Sequence, residues 1–280
     1  MLTYKNFIVL FNSGAIALSL GLTALSAHAQ SRALDEKVWL RLGAFNPDID
    51  SRIRLDRAGS STPTGTDLVG ERDLGLPRSK SVPSALIGLR LAGRWRAEFE
   101  YFSLRRSGQA PLGLSVAFGD SVFSAAVNSK LDSTVYRLSA GYSLLRTPNA
   151  EFGAVVGVHV TDFNVSLRGS ALVNGIVLAS AVEERSRTLP LPTLGLYGAY
   201  GFAPNWLASS RLDVFQLNRG GYSGKLANFE ANVEYQFAGN FGVGAGWRTN
   251  TLRLDVDRGN FMGRVSYRFS GPQVFAKIGF

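Results

Sequence analysis

The sequence predicts an all-β protein: a closed antiparallel transmembrane β-barrel of about ten strands, with eight as the alternative count. Three observations predict it. Apolar and polar residues alternate strictly over long stretches. Tight turns and longer connections separate these stretches in a regular order. Helical periodicity is scarce in a chain with 31 Gly, 18 Phe and 9 Tyr, a mixture that suits pleated strands and turns.

The first element stands apart from the rest. Residues 1–29 read MLTYKNFIVLFNSGAIALSLGLTALSAHA, and Lys5 is the only charge among them. The apolar stretch is broken at Asn12-Ser13-Gly14, resumes through Ala15–Ala24 and ends at the small-x-small triplet Ala27-His28-Ala29. That is the layout of a secretory signal peptide. The alternative, an uncleaved anchor, does not explain the cleavage triplet. The division is therefore 1–29 as signal peptide and 30–280 as barrel. Of the formal charge of +9, about +8 stays with residues 30–280, since only Lys5 is lost. No later window approaches about 18 consecutive apolar residues, so a membrane would have to be crossed by strands. The chain has no cysteine, which excludes a disulfide scaffold and thiol catalysis. A basic exported chain points to anionic lipid headgroups rather than to nucleic acid.

The strands are expected at 36–56, 80–92, 94–106, 129–145, 151–167, 187–202, 206–217, 222–237, 241–257 and 260–280. In RWRAEFEY (94–101), Trp95, Ala97, Phe99 and Tyr101 face away from Arg94, Arg96, Glu98 and Glu100. In VYRLSAGYSL (135–144), Tyr136, Leu138, Ala140, Tyr142 and Leu144 oppose Arg137, Ser139, Gly141 and Ser143. In NFEANVEYQF (228–237), Phe229, Ala231, Val233, Tyr235 and Phe237 oppose Asn228, Glu230, Asn232, Glu234 and Gln236. Residues 261–269 are read the same way, with Phe261, Val265, Tyr267 and Phe269 on the apolar face against Met262, Arg264, Ser266 and Arg268. LAGRW, RTPNAE, FAPNW and FAGNF are tight turns. The connections around 57–79, 107–128 and 168–186 are long, and those around 218–222 and 258–260 are short. Both ends of the chain then lie on the tight-turn side.

Alternation alone does not distinguish a barrel in lipid from a soluble one, because only the direction of the faces differs. Three features choose lipid. Aromatic residues gather near the tight turns: Trp95, Tyr142, Phe152, Tyr200, Phe202, Trp206, Tyr235, Phe237 and Phe241, as an interfacial girdle would. Small residues such as Gly153, Gly157, Gly242, Gly244 and Gly246 share the polar face and suit a crowded interior. A closed ring also leaves no strand edge unpaired, which lipid demands.

The last strand alternates Val274, Ala276, Ile278 and Phe280 and ends on the phenylalanine. It resembles the terminal assembly signal of Gram-negative outer-membrane β-barrels. SAGYSLLR, FGVGAGWR and YRFSGPQVF are similar to segments of uncharacterised proteins of that group. The resemblance implies an outer-membrane location. It also implies outer-membrane lipid, lipopolysaccharide and the barrel-assembly machinery as partners. A monomer is expected, with no cofactor, no metal and no nucleic acid. Gly271-Pro272 interrupts the strand, and a bulge is expected there, with the apolar face changing from odd to even positions.

The inward face is expected to carry a charge network of Arg41, Arg90, Arg94, Arg96, Glu98, Glu100, Arg137, Arg211, Asp213, Glu230, Glu234, Arg248, Arg264 and Arg268. Nine arginines face five carboxylates in that set. A mutually paired core is one reading, since isolated buried charges are costly. An anion-preferring pore is the other. Ten-stranded outer-membrane proteases use Asp pairs with a His near the outer rim, and lipid-modifying barrels use His with Ser. After residue 30 the single histidine is His159, inward by parity with Gly157 and Thr161, while Asp162 is on the opposite face. It reads as a luminal structural residue, with a catalytic base and a metal ligand as alternatives. Asp255-Val256-Asp257 reads as a solvated strand end rather than a cation site. GVGAGW lies inside a strand and lacks the context of a phosphate loop. The apolar stretch at 170–182 is expected to extend a hairpin or pack into the barrel mouth, with contact to a partner left open.

The function expected from the sequence is that of a structural, adhesion or narrow-channel (porin-like) outer-membrane protein without catalytic activity. A hydrolase or lipid-modifying enzyme using His159, an anion-preferring pore and a soluble periplasmic barrel are the alternatives.

Overall fold

The structure is a computed structural model that describes residues 32–56, 64–111, 115–173, 176–219, 222–258 and 261–280. The expected signal segment lies outside the described residues. A 3-10 turn (Arg32–Leu34) leads into β1 (Val38–Phe45), β2 (Asp48–Leu55), β3 (Leu68–Val69) and a one-turn helix α1 (Gly70–Asp73). Then follow β4 (Val82–Ala92), β5 (Trp95–Ala110), β6 (Val116–Phe118), β7 (Ser121–Arg146), β8 (Ala150–Val173) and β9 (Ile176–Ala203). The chain ends with β10 (Trp206–Arg219), β11 (Tyr222–Ala238), β12 (Phe241–Arg258) and β13 (Phe261–Gly279). No helix among the described residues is long and apolar enough to cross a membrane.

Each strand of the ring pairs antiparallel with its neighbour in the order β1-β4-β5-β7-β8-β9-β10-β11-β12-β13, and β13 returns to β1. The result is a closed ten-stranded barrel. Three hairpin turns at one end close over two residues each, and each holds a residue at positive φ: Gly93, Asn205 and Gly239. Glycine and asparagine tolerate that conformation where other side chains clash. The opposite end carries the longer connections. Two of these are strand rather than loop. β5 and β7 stay paired as far as Ala110↔Val127, and β8 and β9 as far as Val173↔Ile176. Residues 170–173 and 176–182 therefore extend the β8–β9 hairpin.

The closing seam departs from the expected bulge. β1 pairs with β13 from Trp39↔Gly279 to Phe45↔Gln273, and β2 continues in the same register from Asp48↔Ser270 to Leu55↔Gly263. β12 also pairs through Trp247↔Pro272 without a shift. The inward face of β13 therefore keeps odd parity throughout. The interruption lies in the partner strand, at Asn46-Pro47. Two prolines at this level lack ladder donors, and the Asn46 N–H donates to the Pro272 carbonyl at 3.0 Å. Gly271 fits because a Cβ there would meet the Asn46 carbonyl oxygen at 2.4 Å.

What changes along the wall is the chemistry of the two faces. Near the tight turns the outer face is apolar: Leu42, Ile87, Phe99, Leu138, Val156, Leu194 and Val243 are exposed, with Trp95, Tyr200, Phe202, Trp206, Phe237 and Phe241 around the rim. Farther up the polarity inverts at unchanged parity. Ile49, Ile53, Phe102, Leu104, Leu131, Val135, Leu226, Leu252, Tyr267 and Phe269 are buried inside. Arg105, Lys130, Arg168, Glu184, Lys225, Arg253, Arg264 and Arg268 are exposed outside. The lower wall is built for lipid and the upper wall for water. The reading of 261–269 as lipid-facing at Tyr267 and Phe269 is thus corrected. Arg264 and Arg268 stand on the outside, not in the lumen.

The mouth is filled by the chain itself. β4 begins only at Val82, so the wall beside the upper parts of β2 and β5 is completed by residues 64–79. β3 pairs with β2, and Leu68, Leu74 and Leu76 join the interior core. Glu71 anchors this wedge. It accepts from the Arg106 guanidinium at 2.5 Å, from the Ser51 hydroxyl at 2.7 Å and from the Ser51 N–H at 3.0 Å. Ser129 donates to the Leu74 carbonyl at 2.7 Å. Phe118 of β6 is buried beside it, and Thr66 exchanges hydrogen bonds with Ala117.

Candidate functional site

Inside the lower wall, the alternation of β1, β4, β5, β7, β8, β10, β11 and β12 places charged residues on the axis. They form one continuous chain of ion pairs. Arg41 lies 3.9 Å from Glu230, and Glu230 accepts from Arg248 at 2.6 Å. Arg248 also bonds Glu100, which Arg137 meets at 2.8 Å. Arg137 reaches Asp213 at 2.8 Å, and Asp213 pairs with Arg211 at 2.9 Å. Arg211 holds Glu98 at 2.6 Å, Glu98 bonds Arg96, and Arg96 lies 4.0 Å from Glu151. Glu151 closes the chain on Arg90 at 2.8 Å. Glu100 on β5 thus contacts Arg248 on β12, and Glu98 on β5 contacts Arg211 on β10. These two links span the lumen, while Glu230–Arg248 and Glu100–Arg137 join neighbouring strands along its wall.

A second cluster sits at the tight-turn end. Lys277 bonds Glu36 at 2.7 Å and Glu234 at 2.8 Å, and Gln236 donates to Glu36 at 2.8 Å. Leu34 is buried there, and its carbonyl accepts from Arg90 and Arg146. The segment before β1 therefore folds under the barrel. Between it and the ion pairs remains a cavity of about 90 Å³, lined among others by Leu34, Trp39, Arg96, Tyr197 and Lys277.

The balance of charge differs from the one expected. Arg94 is exposed in the β4–β5 turn and donates to the Leu144 carbonyl at 3.0 Å. Arg264 and Arg268 are on the outer wall. Six arginines and Lys277 remain inside at this level. They meet Glu98, Glu100, Asp213, Glu230 and Glu234 together with Glu36 and Glu151, seven cations against seven carboxylates among the described residues. The arginine excess that favoured an anion passage disappears. Glu151 was legible from its parity with Gly153, and Lys277 from its place opposite Val274, Ala276 and Ile278. Glu36, in a segment without periodicity, carried no signal.

His159 lies opposite Arg137 on the neighbouring strand and is 3% exposed. Its Nδ1 is buried without a hydrogen-bond partner among the described residues. It sits between the ion pairs and the apolar mouth, and does not line the cavity at the tight-turn end. Asp255 is engaged by Arg264 at 2.5 Å on the outer wall. Val274, Ala276 and Phe280 are exposed on the lipid-facing side of β13 and Ile278 is half-buried there, while the Phe280 N–H donates to the Val38 carbonyl at 2.8 Å.

This closed ring, apolar outside below and polar outside above, is the fold of the Gram-negative outer-membrane β-barrels, and it supports an outer-membrane location. Comparison with solved structures gives the outer membrane protease OmpT from Escherichia coli. It is 13% identical, with a TM-score of 0.52, over 86% of this chain and 97% of that one. The Pseudomonas putida toluene transporter TodX matches at 12% identity and a TM-score of 0.35, over 87% of this chain and 90% of that one. Ail, the attachment invasion locus protein of Yersinia pestis, matches at 7% identity and a TM-score of 0.35, over 86% and 99%. No family model and no curated protein matches the sequence. The expectation of a chain without catalytic activity is corrected by the first of these structures. An enzyme is built on the same barrel, so the fold gives no ground for denying one here.

Proposed function

We propose that this is a sealed, single-chain outer-membrane barrel of the structural or adhesion type, which works through the water-exposed upper wall and its hairpins. The observation that carries this reading is the filled lumen. Seven cations and seven carboxylates cross-link the lower half, and the wedge at 64–79 packs an apolar core into the upper half. Among the described residues such a lumen leaves no ring of unpaired arginines to favour anions, and its filled interior supports a sealed barrel. A narrow-channel role fits it less well. Residues 1–29 act as the removable export segment, which the mass of the membrane form, starting near Gln30, tests directly. The ring closes within one chain, which supports a monomer as the working unit.

The deciding measurement is conductance of the folded protein in planar bilayers. The expected result is no current above the bare membrane. Steady, anion-selective steps from the unaltered chain would overturn the sealed-barrel reading.

A further inference from the structure

Among the described residues the lower lumen matches its charges one to one, but the outer wall does not. Outward positions of β12 run Phe241, Val243, Ala245 and Trp247, then Thr249, Thr251, Arg253 and Asp255. An apolar band about 25 Å tall takes roughly ten residues of a strand tilted by about 40°. Counted from Phe241 it ends near Asn250. The next outward rows are read from the register. Arg268 on β13 stands beside Thr251, and Arg52, Ser266, Arg253 and Lys225 form a single row across β2, β13, β12 and β11.

Among the described residues, Arg52, Lys225, Arg253 and Arg268 have no carboxylate within the 4.0 Å of an ion pair. The acidic side chains nearby are already engaged or stand alone. Asp255 is held by Arg264, Asp67 lies 3.9 Å from Arg54, and Asp50 is the register partner of Arg268 without pairing to it. Arg72 on the far rim pairs with Asp73. Lys225 and Arg253 are direct cross-strand neighbours of like charge, an arrangement that costs a sheet stability. With Thr251, Ser266 and the rim at Asp67, Leu68 and Val69, the arginines of this strip border an outward groove of about 690 Å³.

We propose that this strip is a docking site for the phosphate groups of outer-leaflet lipid. Guanidinium forks bind phosphate oxygens bidentately, and the Thr251 and Ser266 hydroxyls add donors between them. The height selects the source: the strip begins where the lipid-facing wall stops, at the level of headgroups, and it faces outward. A bound phosphate also removes the repulsion between Lys225 and Arg253. The site rests on the membrane placement given above, but not on whether the lumen conducts.

The test is native mass spectrometry of the folded full-length protein in neutral detergent, titrated with bisphosphorylated lipid A or with its dephosphorylated form. The phosphorylated lipid is expected to be retained, and the triple variant K225Q/R253Q/R268Q to hold it roughly a hundredfold more weakly. The double variant K130Q/R168Q, on a different part of the wall, is expected to bind as the unaltered chain does. Heat-modifiable gel migration checks that each variant is folded. If the triple variant fails that check, Arg253→Gln alone is expected to weaken binding about fivefold. Equal retention of both lipids, or undiminished binding by the folded variants, would overturn the proposal. So would complete displacement by millimolar inorganic phosphate, which would make this a site for the free ion.

Discussion

Arg248 and Arg264 look alike in the sequence, since each sits in an alternating strand among aromatic neighbours. They differ in height. Arg248 is buried between Glu100 and Glu230, and Arg264 meets Asp255 on a half-exposed surface. Replacing Arg248 by Ala strands two carboxylates and is expected to cost about 3–5 kcal/mol. Replacing Arg264 by Ala is expected to cost no more than about 1 kcal/mol. Urea midpoints of the heat-modifiable form compare the two, and equal midpoints would refute the interior network as a source of stability. Parity was legible residue by residue because a pleated strand alternates regardless of solvent. The level at which lipid gives way to water was not, because that change reverses both faces and leaves the period untouched. For this reason the pattern of 261–269 reads as lipid-facing at Tyr267 and Phe269 although both are buried inside.

Among the elements, the ten ring strands were visible in the sequence, since their alternation is enforced along the whole wall. The wedge at 64–79 was not. Its four-residue helix and two-residue strand are too short to show a period, and Glu71 is fixed by partners from β2 and β5. Within the wedge, Asp73 accepts from the Val69 N–H at 2.8 Å, and the Arg72 guanidinium holds its carboxyl below the ordinary value. A depressed carboxylate contributes stability above its unfolded pKa, near 3.9, and loses it as pH falls through the lower folded value. The protection factor of the Val69 amide against hydrogen exchange is therefore expected to fall only below about pH 4, and to lose that dependence in Asp73→Asn. A protection factor that declines between pH 7 and pH 5 would contradict this account.

At the scale of the whole molecule, the fold class followed from pattern and girdle, but the chemistry of the site did not. A ten-stranded ring accommodates a protease as readily as a sealed wall, because function lies in the side chains added to the ring. The final strand links the two scales. Val274, Ala276, Ile278 and Phe280 face lipid, and the Phe280 backbone meets the start of β1. We propose that these four residues act as the recognition strip for barrel assembly. Deleting Phe280 is then expected to lower the amount of protein recovered in the outer membrane severalfold, while the purified variant still folds in detergent. Unchanged recovery would show that the strip has no such role.

The break at Asn46-Pro47 divides the closing seam into two zippers. Seven residue pairs below it are sealed by oil, where an open edge is intolerable, and eight above it are bathed in water, where an edge is readily solvated. Between them, Pro47 and Pro272 each remove an N–H donor, and the Asn46 N–H to the Pro272 carbonyl at 3.0 Å is the bond that bridges the two. The lower run therefore has to be closed for the barrel to sit in lipid, whereas the upper run, with water at its edge, is under no such demand.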